Sequence, residues 1–258
     1  MYGAAGEGRN VVCLRGGGVA AAVLVVVFGV GGCNGETLGS AGPEESASGA
    51  AGGGGGGGGP ALAAVDSLAV KGRAPKTGYD RDRFGTAWAD TDSNKCGTRD
   101  DILKRDLVDV RYRGGGCKVS AGKLDPDPYS GKDVTFTRGR SEVDIDHIVA
   151  LSDAWQKGAK YWDDSKRIAF ANDPLNLRAV DASTNRSKGD GDTATWLPPN
   201  KAYRCTYVAN QVAVKKKYEL WVTEAEKTAM KKVLSGCAGQ KLPTGGNPTE
   251  APARFHAS

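Results

Sequence analysis

One stretch of this chain gathers the residue types that acid–base and metal chemistry require. His147 sits in Val143-Asp144-Ile145-Asp146-His147-Ile148-Val149-Ala150-Leu151, mid-chain and among apolar residues. The other histidine, His256, lies near the C-terminus in a tail of Pro, Ala and Gly. A neutral imidazole accepts a proton near pH 7, so His147 is the candidate general base. Its neighbour Asp146 is a candidate cation ligand. Asn185 offers a second oxygen from a following helix, and Lys188 shares its helix face at i+3, where an ammonium could reach a phosphate oxygen. Phosphodiester hydrolysis needs these parts: a base for the attacking water, neutralisation of charge on the phosphoryl oxygens, and stabilisation of the leaving oxygen. Asp plus Asn is an all-oxygen pair and suits a hard cation that keeps waters, Mg²⁺ first and Mn²⁺ as a substitute.

The order Asp146-His147, then Asn176-Leu177, then Asn185-Arg186-Ser187-Lys188 resembles the HNH nucleases of the His-Me finger (ββα-metal) superfamily. That resemblance implies that Asn176 braces the loop carrying the histidine by hydrogen bonds. Asn172 competes for this role, but Asn176 keeps the register with Asn185 and Lys188. Many members of the family have His where this chain has Asn185; an imidazole there would favour Zn²⁺, Ni²⁺ or Co²⁺. The likeness continues in Tyr79-Asp80-Arg81, Trp88-Ala89-Asp90, Arg99-Asp100-Asp101-Ile102-Leu103, Asn172-Asp173-Pro174 and Trp196-Leu197-Pro198-Pro199. These stretches look like exported HNH-family proteins common in actinobacteria, over residues 76–237. The resemblance implies an endonuclease that leaves 5′-phosphate products.

The surrounding sequence predicts the elements that must hold these residues. Residues 100–107 read as a short helix. Val108, Val110 and Tyr112 alternate with Asp109 and Arg111, the period of a half-buried strand. Gly114-Gly115-Gly116 turns the chain into a second strand over 118–124. Residues 134–137 and 142–146 read as two more strands. Helices are predicted over 152–160 and 165–171, the second broken by Pro174. Between Asn176 and Asn185 the spacing fits a short loop and the first turn of a helix that Asp181 caps and Gly189 ends. The longest helix is expected over 201–218, and Thr223-x-x-Glu226 is a capping box for the last. Strands first and helices later predict an α+β domain. With the resemblance, the expectation is a ββα-metal core with a small antiparallel sheet, flanking helices and two disulfides.

The N-terminus reads as a targeting segment. Arg9 and Arg15 precede an apolar run over 19–30, the length of a signal h-region and short for a bilayer span. It ends in Val30-Gly31-Gly32-Cys33, which resembles a bacterial lipobox with Cys33 as the acylated first mature residue. Residues 1–32 are therefore assigned to a signal peptide, 33–75 to the lipid-anchor cysteine and a flexible Gly/Ala/Ser tether, 76–237 to the nuclease domain and 238–258 to a disordered tail. Outside the signal and Cys33 four cysteines remain: Cys96, Cys117, Cys205 and Cys237. None is in Cys-x-x-Cys spacing, which argues against a zinc ribbon, and two disulfides are expected in an exported domain. Three pairings exist; Cys96–Cys117 with Cys205–Cys237 is the most economical.

The net charge is +5, which permits a polyanionic partner without requiring one. Arg178 and Arg186 flank the site and are candidate backbone contacts. Lys215-Lys216-Lys217 and Lys231-Lys232 read first as solvated helix faces, and Trp155, Trp196 and Trp221 as core. Glu142 and Asp144 are further carboxylates of the histidine strand, with Asp144 on the Asp146 face only if that strand is regular. The reading is an exported, lipid-anchored, monomeric endonuclease of low sequence specificity on the outer face of the cell membrane. It acts on nucleic acid, DNA ahead of RNA, and meets the membrane only through its anchor. Two rivals stand against it: a catalytically silent surface lipoprotein that binds nucleic acid or cell-wall polyanions, and a structural envelope protein.

Overall fold

The structure is a computed structural model and describes residues 59–140 and 142–257. The signal segment, Cys33 and the tether up to residue 58 lie outside the described residues. Seven α-helices and five strands are present among the described residues, in an α+β arrangement. None of these helices is long and apolar enough to cross a membrane.

The first half builds a three-stranded antiparallel sheet. Strand β1 (Val108–Tyr112) pairs with β2 (Val119–Leu124), and β2 with β3 (Val134–Thr137). Helix α2 (Thr98–Asp106) packs on it through Ile102 and Leu103, both buried with Val119, Leu124 and Phe136. The disulfide Cys96–Cys117 ties the residues before α2 to the β1–β2 turn.

Strand β4 (Val143–His147) pairs antiparallel with β5 (Leu177–Asp181) in an unbroken register, Asp144 opposite Val180 and Asp146 opposite Arg178. Regular alternation sends Val143 and Ile145 into the core with Leu177 and Ala179, and leaves Asp144 and Asp146 on the other face. Between these strands come α3 (Leu151–Gln156) and α4 (Asp164–Ala171). Asp181 then accepts from the Thr184 N–H and starts α5 (Ala182–Lys188), which Gly189 ends at φ +56°. Helix α5 packs on both β4 and β5.

Helix α6 (Arg204–Tyr218) runs through the centre of the domain, with Tyr207, Val208, Val212 and Val214 fully buried. Thr223 caps α7 (Glu224–Leu234) by accepting from the Glu226 N–H. The disulfide Cys205–Cys237 joins the start of α6 to the third residue past the end of α7. Lys157 and Lys215 form a buried ion cluster with Asp153, Asp192 and Glu226, at 2.6 to 3.1 Å. The solvated face expected for the lysine run therefore does not hold at Lys215, whose ammonium the acids of α3 and α7 take inside.

Three expectations change. Residues 177–181 are a strand, not a loop; five residues with two alanines carry too little pattern to announce it. The ordered fold begins before residue 76, because α1 (Pro60–Asp66) buries Ala61 and Val65 against Met230 and Leu234. Gly59 sits so close to the chain that a Cβ there would meet Gln240 N at 2.4 Å, so the last glycine of the run is a crossing point. The expected disordered tail is instead held against the domain. Lys217 Nζ donates to Asn247 O at 2.6 Å, the Ala251 N–H to Ser165 O, and Phe255 packs near Ile168. Backbone hydrogen bonds hold this segment, and they leave no hydrophobic period to read.

Candidate active site

Two rungs join β4 to α5. Asn185 Nδ2 donates to Asp144 Oδ2 at 3.3 Å, and Lys188 Nζ donates to Asp146 Oδ1 at 2.8 Å. The same ammonium donates to His147 O at 2.8 Å. Tyr129, fully buried, donates its hydroxyl to the other oxygen of Asp146 at 2.6 Å. Burial holds the Asp146 carboxyl above its ordinary range, a rise that Lys188 and Tyr129 offset only in part. Two expected roles change here. Lys188, expected on a substrate phosphate, is buried and committed to Asp146. Asp146, expected to share a cation with Asn185, has both oxygens engaged, and the carboxylate beside Asn185 is Asp144.

His147 ends β4 with its ring buried. Nε2 lies 2.9 Å from Ala171 O, so Nε2 carries the hydrogen and Nδ1 the lone pair. Burial depresses the imidazole pKa to about 3, which keeps the ring neutral at physiological pH. The loop after it is tied down by Asn176. Asn176 Oδ1 accepts from the Val149 N–H at 2.9 Å, its Nδ2 donates to Val149 O at 3.3 Å, and its own carbonyl accepts from the Ile148 N–H. Its Nδ2 also reaches Phe170 O, one residue from the Ala171 carbonyl that holds the imidazole. One amide thus fixes both the loop bearing the ring and the helix end bearing its acceptor. Asn172 instead bonds back to Ile168 O on its own helix.

An open cleft of about 580 Å³ is lined by Asp144, Asp146, His147, Asn185 and Arg186 together with residues from the N-terminal segment. Those residues include Arg81, Trp88 and Arg99. The Trp88 ring stacks on His147 at 6.2 Å between centroids and 15° between planes, and Arg99 Cζ sits 5.7 Å from the Trp88 centroid. Arg178 is not part of the cleft: its guanidinium pairs with Asp106 at 3.0 Å, and the expected phosphate contact is lost there. Of the residues singled out from sequence, Asp146, His147, Asn185 and Arg186 line one cleft, Asn176 braces it from behind, and Lys188 and Arg178 are spent on carboxylates. Sequence reasoning did not assign Arg81, Trp88 and Arg99 to the site. They stand more than forty residues before His147, and their one signal was membership of the Tyr79-Asp80-Arg81, Trp88-Ala89-Asp90 and Arg99-Asp100-Asp101 stretches.

A divalent cation is what the resemblance implies, and the donor set at the Asp144–Asn185 rung fits one. A carboxylate and an amide, both half-buried at the cleft wall, supply hard oxygen ligands. The amide places its oxygen or its nitrogen toward Asp144 by a simple flip. Among the described residues no group of three or more His, Cys, Asp or Glu is gathered to hold a metal, so a cation there would keep waters or substrate oxygens in its remaining positions.

Comparison with known proteins identifies relatives of the chain that carries this site. The family described as GmrSD restriction endonucleases, C-terminal domain, matches residues 97–233, which contain β4, β5, α5 and Arg99. A protein of Arthroderma benhamiae, described as an uncharacterized secreted protein, is 41% identical over 179 residues, 69% of this chain and 84% of that relative. No solved structure matches.

Proposed function

The chain belongs to the family of the C-terminal domain of GmrSD restriction endonucleases, and from that premise we propose that it is an exported nuclease that hydrolyses phosphodiester bonds. The observation that carries the reading is the state of His147. It is a neutral imidazole, held through Nε2 by Ala171 O, on the wall of a cleft that also presents Asp144, Asn185 and Arg186. Binding alone needs no such base.

In this reading β4, β5 and α5 are the ββα finger. His147 accepts the proton of the attacking water at Nδ1. Asn176 keeps the ring in place by holding the loop and the helix end on either side of it. Asn185 and an aspartate of β4 would hold one Mg²⁺, with Mn²⁺ as a substitute; the carboxylate at hand is Asp144, and Asp146 would be the alternative only without the Lys188 ammonium on it. The cation, when bound, neutralises charge on the scissile phosphate and the leaving oxygen. Arg186, exposed on α5, meets the nucleic-acid backbone. Phosphate contacts are taken to dominate, with low sequence specificity and DNA ahead of RNA as substrate. The two disulfides and the secreted relative support export, and Cys33 is the proposed lipid anchor of a monomer on the outer membrane face.

The test is a plasmid-nicking assay on the full-length protein with Mg²⁺, with Mn²⁺ and with EDTA, alongside His147→Ala. Cleavage that needs the cation and falls about 10²–10⁴-fold in His147→Ala supports the reading. Binding without cleavage under every condition would identify a silent polyanion-binding lipoprotein.

A further inference from the structure

A phosphodiester brought to this cleft needs a cationic side chain, and α5 does not supply a buried one, since Lys188 is spent on Asp146. Three arginines remain on the wall: Arg81, Arg99 and Arg186. Arg81 and Arg186 are exposed. Arg99 is half-buried, and among the described residues it has no hydrogen bond or ion pair to any side chain. The nearest acids make their direct contacts elsewhere. Asp100 is taken by Arg138 and by the Val119 N–H, and Asp144 accepts from Asn185. A half-buried guanidinium with no direct ion pair, held only by the longer-range attraction of Asp144 and Asp100, gains when an anion completes its hydrogen bonds.

Arg99 is also mounted. It lies in the first turn of α2, with its Cζ over the Trp88 ring, and the same ring stacks on His147. Trp88 has φ +62°, a left-handed backbone conformation that is strained for a bulky L residue. The surroundings hold it there: Trp88 O accepts from the Thr98 N–H, the Thr98 hydroxyl donates to Ala89 O, and Cys96–Cys117 clamps the adjoining loop. The tail adds a strap, with Asn247 on Thr91 and Arg254 on Asp90 O. Strain kept in place by this many contacts fixes the spacing between Arg99 and the imidazole.

We propose that Arg99, stacked on Trp88, is the phosphate-binding residue of the cleft, and that Trp88 is the positioning residue that sets its distance from His147. The ligand class is a nucleic-acid phosphodiester, taken by the planar guanidinium through paired N–H donors. The cleavage step rests on the nuclease reading, but binding can be measured without cleavage. Burial and the neighbouring Arg138 hold the Arg99 pKa below its ordinary value against the attraction of Asp144 and Asp100, consistent with a cation that gains by meeting an anion.

The experiment is fluorescence anisotropy of a labelled DNA duplex with the full-length protein in EDTA, across salt concentrations, followed by nicking rates in Mg²⁺. The variants are Arg99→Gln, Arg99→Lys, Trp88→Phe, Trp88→Leu and, as a charge-matched control on the exposed face of α2, Lys104→Gln. Arg99→Gln should weaken binding about tenfold, lower the slope of log K against log salt by about one, and lower kcat. Arg99→Lys should keep the salt slope and lose only part of the rate. Trp88→Leu should lower kcat more than it raises KM, and Trp88→Phe should restore it. Lys104→Gln should bind as wild type. Unchanged affinity and slope in a folded Arg99→Gln overturns the proposal whether or not the protein cleaves. A wild type that binds and never cleaves, with Arg99→Gln still weakened, overturns the nuclease reading and leaves the phosphate site standing.

Discussion

Lys188 Nζ lies 2.8 Å from Asp146 Oδ1, with the lysine side chain fully buried and the aspartate nearly so. The pair joins the helix that carries Asn185 to the strand that ends in His147. It also decides which carboxylate is free. While the ammonium holds Asp146, Asp144 is the acid that faces Asn185. A divalent cation beside Asp146 would compete with that ammonium for the same oxygen.

Lys188→Met tests this competition. Removing one partner of a buried pair costs about 3–5 kcal/mol, so the melting temperature in EDTA should fall well below wild type. The freed Asp146 carboxylate should then accept a cation, and Mg²⁺ or Mn²⁺ should raise the melting temperature of the variant more than that of wild type. An equal rise in both proteins would leave Asp144 as the ligand and Asp146 as a structural brace.

The disulfide Cys205–Cys237 closes a loop with a sequence separation of 32 between α6 and the end of α7. Loop-closure entropy for that length corresponds to about 4 kcal/mol. Cys205→Ser with Cys237→Ser should lower the urea midpoint accordingly, with little effect on nicking rate below the transition, because neither cysteine lines the cleft. A loss of activity in the folded variant would show that α6 transmits to the site.

The acid limb of stability should trace to the buried ion cluster. Burial alone would push the Asp153 carboxyl up, but Lys215, Lys157 and Arg73 hold it below its ordinary value of 3.8. A carboxyl depressed in the folded state contributes stability that is complete above its unfolded pKa and is lost as pH falls through the folded one. The window therefore runs downward from about pH 4, and the slope per such group approaches 1.4 kcal/mol per pH unit. Asp153→Asn should be less stable at pH 7, because Lys157 and Lys215 lose a counter-charge, and its stability should vary less with pH in that window. Urea midpoints at pH 7, 4 and 3 for both proteins measure this; parallel curves would refute it.

The sequence spoke most clearly where local chemistry decides. Strand β1 and strand β3 fall on the predicted residues, because alternation and the flanking glycines act locally. Asp181, Gly189 and Thr223 cap helices as their types require, and the sequence-local disulfide pairing is the one formed. What stayed hidden was long-range. Strand β5 exists because β4 offers it an edge, not because Leu177 to Asp181 has strong β propensity. The pairing of Lys188 with Asp146 depends on how α5 lies across β4, which spacing along one chain does not determine. Trp88 and Arg99 reach the site only through a backbone strain at Trp88 that no composition encodes.

Asn185 is the residue on which the cation reading turns. Its amide oxygen is neutral and hard, and it would complete the proposed ligand pair with Asp144 or with Asp146. Asn185→Ala should weaken cation binding and cut nicking strongly, since one aspartate would hold the ion alone. Asn185→His should behave differently, because an imidazole nitrogen prefers later transition metals. Nicking supported by Mg²⁺ should fall more than nicking supported by Ni²⁺ or Co²⁺, so the rank order of metals should change as well as the rate. Asp144→Asn and Asp146→Asn then identify the partner: the substitution that raises the Mg²⁺ concentration for half-maximal rate marks the ligand, whereas loss of the brace lowers melting temperature without that shift. If Asn185→His keeps the wild-type rank order and Asn185→Ala cleaves near the wild-type rate, Asn185 binds no cation. The amide would then serve only to hold Asp144 against α5, and the register drawn from Asp146-His147 through Asn176 to Asn185 would fail at its last step.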